Sequence, residues 1–142
     1  MTASEHKSSV LQLRIAARAK DLKRIRKAAR ECVERCGCST QSTSDIVLAI
    51  DEACQNIIRH AYHGECDDII ELEIEHRGDE LIFSLTDHAP AIDPSQIQPR
   101  DLDDVRPGGL GTHFIRLVMD ETDYLKPPSG RGNLLKMVKR ID

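Results

Sequence analysis

The stretch "DEACQNIIRHAYHG", residues 51–64, decides how this chain is read. Glu52, Asn56, Arg59 and His63 recur in it at intervals of four, three and four, the spacing that brings side chains to one face of an α-helix. Working outward, Ile46, Ile50, Ala53, Ile57 and Ala61, joined by Val47, Cys54 and Ile58, form a broad apolar stripe on the other side. The pattern predicts an amphipathic helix from about Thr43 to Tyr62, ended by His63-Gly64, with one side for a core and one side wet. A wet face is ordinarily just solvated. Asn56 argues for more, because Asn is a poor helix-interior residue whose side chain competes for backbone hydrogen bonds.

The flanking segments alternate between the two periodicities. Residues 1–9 are polar and read as a flexible N-terminus, and 10–142 as a single domain. Val10 to Ile15 alternates with period two and predicts a strand. Lys20 to Cys36 has helical spacing and ends at Gly37, where a helix C-terminal glycine belongs. Ile69–His76 and Leu81–Thr86 predict a hairpin around Arg77-Gly78-Asp79-Glu80, with Glu71, Glu73 and Glu75 on the polar side. Four of the six prolines fall in 88–109, so this long irregular segment reads as a lid or binding loop. Gly108-Gly109-Leu110-Gly111 then opens a short helix, Thr112–Met119, and Glu121–Lys126 and Asn133–Ile141 close the chain as strands. Helices interleaved with hairpins predict an α+β domain: a two-layer α/β sandwich, its sheet mixed or mostly antiparallel, with helices on one face.

Composition removes several classes of function. The chain carries 20 basic and 24 acidic residues, a net charge of −4, so it lacks the basic surplus of a nucleic-acid binder. With no Trp, two Tyr and two Phe, stacking on bases is a poor fit, and the core must be aliphatic. No apolar run approaches the ~18 residues of a membrane span, and the N-terminus does not resemble a signal peptide. The five cysteines, an odd count without zinc-finger spacing, read as reduced thiols in a cytoplasm.

Two further features join the opening helix. Asp87 closes a strand, and the glycines of "GGLG" precede a helix, where backbone N–H groups and the helix N-terminus favour a phosphate. In this order, "EACQN" (52–56 with "IIRHAYHG" following), "SLTDHAPAIDP" and "GGLGTHFIRLVMDETDY" resemble the sequence boxes of the GHKL ATP-binding superfamily, which includes histidine-kinase catalytic domains and DNA gyrase. Within it the chain is most similar to bacterial anti-sigma-factor serine/threonine kinases of the RsbW and SpoIIAB type, over about residues 10–141. The short length, without a sensor, membrane or dimerisation segment, favours that stand-alone type over a histidine-kinase fragment.

The resemblance implies ATP and Mg²⁺ as cofactors. It implies that Asn56 coordinates Mg²⁺ and that Glu52 is the general base for an incoming Ser or Thr hydroxyl. Asp87 would accept a hydrogen bond from the adenine amino group. Gly109, Leu110, Gly111 and Thr112 would cradle the phosphates, about Ser95–Pro107 would form the lid, and Arg59 and Arg106 are candidates for steadying phosphate charge. The implied partners are a sigma factor or equivalent regulator and an anti-sigma-factor antagonist of the STAS type, with a homodimer also expected, and with no nucleic acid or membrane. One departure stands out: the second box has Ala89-Pro90-Ala91 where the family usually has Asp-x-Gly-x-Gly glycines. It motivates a rival reading, a non-catalytic ATP-binding module that sequesters a regulator. A third reading is an ATPase, or a detached histidine-kinase-like domain, without a Ser acceptor.

Overall fold

The computed structural model describes residues 8–90 and 107–141, and of 107–112 the backbone alone. The chain begins with strand β1 (Ser9–Ala16), a 3-10 turn (Ala19–Asp21), helix α1 (Leu22–Arg35) and helix α2 (Thr40–Asn56). A π-turn (Ile57–Ala61) continues α2 into the hairpin of β2 (Ile69–Arg77) and β3 (Glu80–Asp87). Helix α3 (Pro107–Val118) and strands β4 (Glu121–Leu125) and β5 (Asn133–Arg140) follow.

Local chemistry sets the helix ends. At the C-terminus of α1, Gly37 takes φ 102°, and the Gly37 and Cys38 N–H groups return to the Glu34 and Val33 carbonyls at 3.0 and 3.1 Å. Ser39 caps α2, its hydroxyl accepting from the Ser42 N–H at 3.1 Å. That cap starts α2 at Thr40, three residues before the position expected from the apolar stripe. Pro107 opens α3, a position where its missing N–H costs nothing. The glycines of "GGLG" therefore lie inside the first turns of the helix and not in a loop ahead of it.

The five strands form one sheet in the order β1-β2-β3-β5-β4, and every neighbouring pair is antiparallel. The crossover places β5 between β3 and β4, with Asp87 directly opposite Asn133. One face carries Ile70, Leu72, Ile74, Leu81, Phe83, Leu85, Leu135 and Met137, which join Ile25, Ala29, Ile46 and Ile50 of the helices in a single core. Phe83 is fully buried and is the largest side chain so enclosed. The second face holds Glu71, Glu73 and Glu75, partnered by Arg14, Gln12 and Ser8 at 3.5, 3.2 and 2.9 Å. Ile82 and Val138, cross-strand partners, are also buried there.

None of the five cysteines forms a disulfide. Burial, with Cys36 adding, pushes the Cys32 thiol up to about 11, and burial raises Cys54 as well. Among the described residues no group of three His, Cys, Asp or Glu side chains could hold a metal ion, and no helix is long and apolar enough to cross a membrane. With so few aromatic residues, Phe83 bears much of the packing. Phe83→Ala is expected to cost about 3–5 kcal/mol, against less than about 0.5 kcal/mol for truncating the exposed Leu48, both read from urea unfolding midpoints.

Candidate active site

Helix α2 divides lengthwise. Ile46, Ile50, Ala53 and Cys54 are buried in the core, while Glu52 and Asn56 are half-buried on the other side. Regular geometry stops at Asn56. The Tyr62 N–H reaches back five residues to the Ile57 carbonyl at 3.0 Å, the spacing of a π-turn, and the Gly64 N–H closes the end of the segment onto the Ile58 carbonyl at 2.7 Å. Such turns concentrate at functional sites. His63 then adopts φ 58°, a left-handed conformation beyond the helix cap. The expected four-residue face is thus a three-residue one. Glu52, Asn56 and Arg59 stay together, and His63 leaves because the wider turn and the chain reversal take it out of register.

Arg59 bridges the other two. Its Nη2 donates to Asn56 Oδ1 at 3.3 Å and lies 3.9 Å from Glu52 Oε2. That second distance is within ion-pair range but too long for a hydrogen bond. Glu52 Oε2 is enclosed and has no hydrogen-bond partner among the described residues. Burial raises the Glu52 carboxyl above the ordinary range; Arg59 opposes the shift and Asp51 adds to it. A carboxylate oxygen with high proton affinity and no protein donor is the state a general base needs.

Asp51, next to Glu52, is tied down instead. Arg26 of α1 donates to its Oδ1 at 2.8 Å, and Gln55 donates to its Oδ2 at 2.6 Å. This network locks α1 to α2 beside Glu52 and holds the helix backbone there. The Asp51–Gln55 spacing of four is legible in the sequence; the role of Arg26, 25 positions away, is not.

Asp87 forms the second pole of the site. Its side chain is buried, and Oδ1 accepts from the Ala89 N–H at 3.0 Å and from Asn133 Nδ2 at 2.9 Å. Burial raises its carboxyl above the usual range, while the hydrogen bonds from Asn133 and Ala89 pull the other way. Asn133 also donates to the Pro90 carbonyl at 3.1 Å, fastening the start of the proline-rich segment. The Tyr62 hydroxyl accepts from the His88 N–H and donates to the Ile69 carbonyl, both at 2.7 Å, so the end of the π-turn is clamped to the end of β3. No pattern in the sequence singles out Asn133 or Tyr62. Tyr62 lies within the opening stretch, but its partners are set by tertiary structure, and Asn133 meets Asp87 only through the β3–β5 register.

Gly109, Leu110, Gly111 and Thr112 lie on the first turns of α3, which packs against α2. Arg106, Ala91 and the expected lid up to residue 106 lie outside the described residues. Mg²⁺ takes hard oxygen ligands and commonly keeps waters and phosphate oxygens beside one or two protein groups. Asn56 Oδ1 is a half-buried hard-oxygen donor of that kind. It fits a metal brought in with a phosphate ligand.

The sequence profile described as the histidine kinase-like ATPase domain matches residues 15–139. The chain belongs to that family. The histidine kinase-like ATPase domain here is similar to the serine-protein kinase RsbW of Staphylococcus aureus, 28% identical over 145 residues that span 96% of this chain and 91% of the relative. Its fold is similar to that in the SiaB–SiaC complex of Pseudomonas aeruginosa, with TM-score 0.67 and 14% identity over 96% of this chain and 93% of that one. It is also similar to the structure of the RsbU and RsbW domains of a Mycobacterium tuberculosis protein, with TM-score 0.64 and 18% identity over 92% of this chain and 32% of that one.

Two outcomes follow for the Asp87 end of this ATPase domain. Gly132 has φ 81°, and a Cβ there would strike the Asp87 carbonyl oxygen and lie 2.9 Å from its carbon. Gly132→Ala is expected to destabilise by about 1–3 kcal/mol or more, seen as a lower denaturant midpoint. Asp87 has a raised carboxyl, so its contribution to stability is present at acid pH and lost as the pH rises through its folded-state pKa. Asp87→Asn keeps the shape without the charge. Its melting temperature should gain on that of the native chain as the pH rises from acid to neutral, in parallel thermal scans.

Proposed function

We propose that this domain is an ATP-dependent protein serine/threonine kinase that acts as an anti-sigma factor, phosphorylating an anti-sigma-factor antagonist of the STAS type in a partner-switching pathway. The observation that carries the reading is the Glu52 carboxylate: half-buried, raised in pKa, with Oε2 lacking any hydrogen-bond donor, one helical turn from Asn56. The similarity to a serine-protein kinase over nearly the whole chain supports it.

In this reading bound Mg·ATP supplies the phosphoryl group and neutralises the charge that develops on its transfer. The residues of the chain do the rest. Asn56 would hold the metal through Oδ1. Asp87, kept in place by Asn133 and the Ala89 N–H, presents a buried acceptor suited to the adenine amino group. The backbone of Gly109, Leu110, Gly111 and Thr112, at the N-terminus of α3, faces phosphate charge, with Arg106 as an added cation. Glu52 would accept the proton of the acceptor Ser or Thr hydroxyl as its oxygen bonds to the γ-phosphorus and the bridging bond to the departing ADP breaks. The Asp51–Arg26 pair holds the helix backbone in place beside Glu52.

The partners in this scheme are the antagonist, whose phosphorylation adds about −1.5 to −2 charge and weakens its grip, and a sigma factor or equivalent regulator held by the kinase. A cytoplasmic homodimer is the form in which we expect it to act. Calorimetry and phosphotransfer test the assignment together. Native chain should bind ATP in a Mg²⁺-dependent way, and Asn56→Ala should abolish that dependence. Glu52→Gln should retain near-native binding, yet its transfer of radiolabelled phosphate to a STAS-domain protein should fall by about 10²–10⁴. Native chain that binds nucleotide but labels no Ser or Thr acceptor would favour the sequestering module that Ala89-Pro90 suggests.

A further inference from the structure

The Arg59 guanidinium occupies the oxygen that the proposed metal needs. Asn56 has one side-chain carbonyl oxygen, and Arg59 Nη2 donates to it at 3.3 Å. The same nitrogen is 3.9 Å from Glu52 Oε2, the enclosed oxygen with no hydrogen-bond donor. One cationic nitrogen thus faces both oxygens of the half-buried pair, as a metal ion would. Arg59 reaches them from the π-turn that begins directly after Asn56.

We infer that Arg59 is a resident stand-in cation, which must release Asn56 Oδ1 before a divalent metal can bind there, so that arginine and metal compete for one ligand. The inference rests on the proposed role of Asn56 as metal ligand. A guanidinium stays protonated at any working pH, so the competition is not relieved by titration. Its planar fork holds the oxygen in a directed hydrogen bond, and a divalent ion on the same oxygen would stand within a few ångström of that charged nitrogen, so the two cations exclude each other at contact distance. Arg59 therefore sets a threshold. Nucleotide arriving without metal leaves the stand-in undisturbed, and metal arriving with nucleotide must displace it.

The competition predicts a direction opposite to that of a phosphate-binding arginine. Removing a phosphate ligand weakens nucleotide binding. Removing a stand-in lowers the Mg²⁺ concentration that binding requires. Binding of a non-hydrolysable ATP analogue is measured by calorimetry at a series of Mg²⁺ concentrations, for native chain, Arg59→Ala and Arg59→Lys. The Mg²⁺ midpoint should fall about three- to tenfold in Arg59→Ala, the scale of giving up one partly exposed charged hydrogen bond, and Arg59→Lys should lie between. The gap should persist in roughly 0.5 M KCl, where through-space repulsion is screened within a few ångström. In ¹⁵N spectra of the native chain, the Arg59 Nε–H signal should move when Mg²⁺ and analogue are both present, and not with analogue plus chelator. An unchanged or raised midpoint in Arg59→Ala, a gap that vanishes in salt, or a static Arg59 signal overturns the inference while leaving the kinase reading intact. Native chain that binds no analogue at any Mg²⁺ concentration overturns both.

Discussion

A carboxylate buried at the end of a strand is costly, and the last third of this chain is arranged around one. Asp87 has left water almost completely. Its charge is tolerated because a side-chain amide and a backbone N–H point at one oxygen. The amide comes from Asn133, which can reach it only because β5 inserts between β3 and β4 in the register that sets 133 opposite 87. Gly132 precedes it in a conformation no other residue adopts cheaply, with its missing Cβ replaced by the Asp87 carbonyl. A loop turn, a strand register and a strand order therefore converge on a single acceptor group.

The pole on α2 is built on a different principle. There Asp51 is buried and Glu52 half-buried, and what matters is which of them is satisfied. Asp51 is given an arginine and a glutamine, and Glu52 is given neither. Two adjacent carboxylates are thus held differently, one fastened to α1 and the other left without a donor. Tyr62 joins the two poles through one hydroxyl that serves the ends of both hairpin strands.

Much of this was legible in the order of residues. The strands and helices follow from periodicity, and the hairpin with its glutamate row sits where alternation placed it. Glu52 and Asn56 lie on one face because helical geometry is local. Local patterns also account for the misses. A π-turn is one hydrogen-bond step longer than an α-turn, and nothing in "IIRHA" announces it; it ends at Tyr62, whose hydroxyl is bonded at β2 and β3, and it removes His63 from the face. The first turns of α3 include three glycines, which argue for a loop on propensity alone, yet Pro107 and the packing of α3 on α2 hold them helical. Asn133 and Arg26 gain their roles from partners 46 and 25 positions away, and no spacing rule reaches that far.

The lengthwise division of α2 also bears on how such a domain changes over generations. The residues that make it fold, Ile46, Ile50, Ala53 and Cys54, share no positions with the residues assigned chemistry. Replacing Glu52 or Asn56 exchanges half-exposed side chains and opens no cavity in the core. Selection can therefore act on the two sides independently. A duplicated copy can drift into inactivity and still present the same surface to whatever it binds, with no poorly folded ancestor along the way. Competitors of active members of a family arise readily from scaffolds divided in this manner.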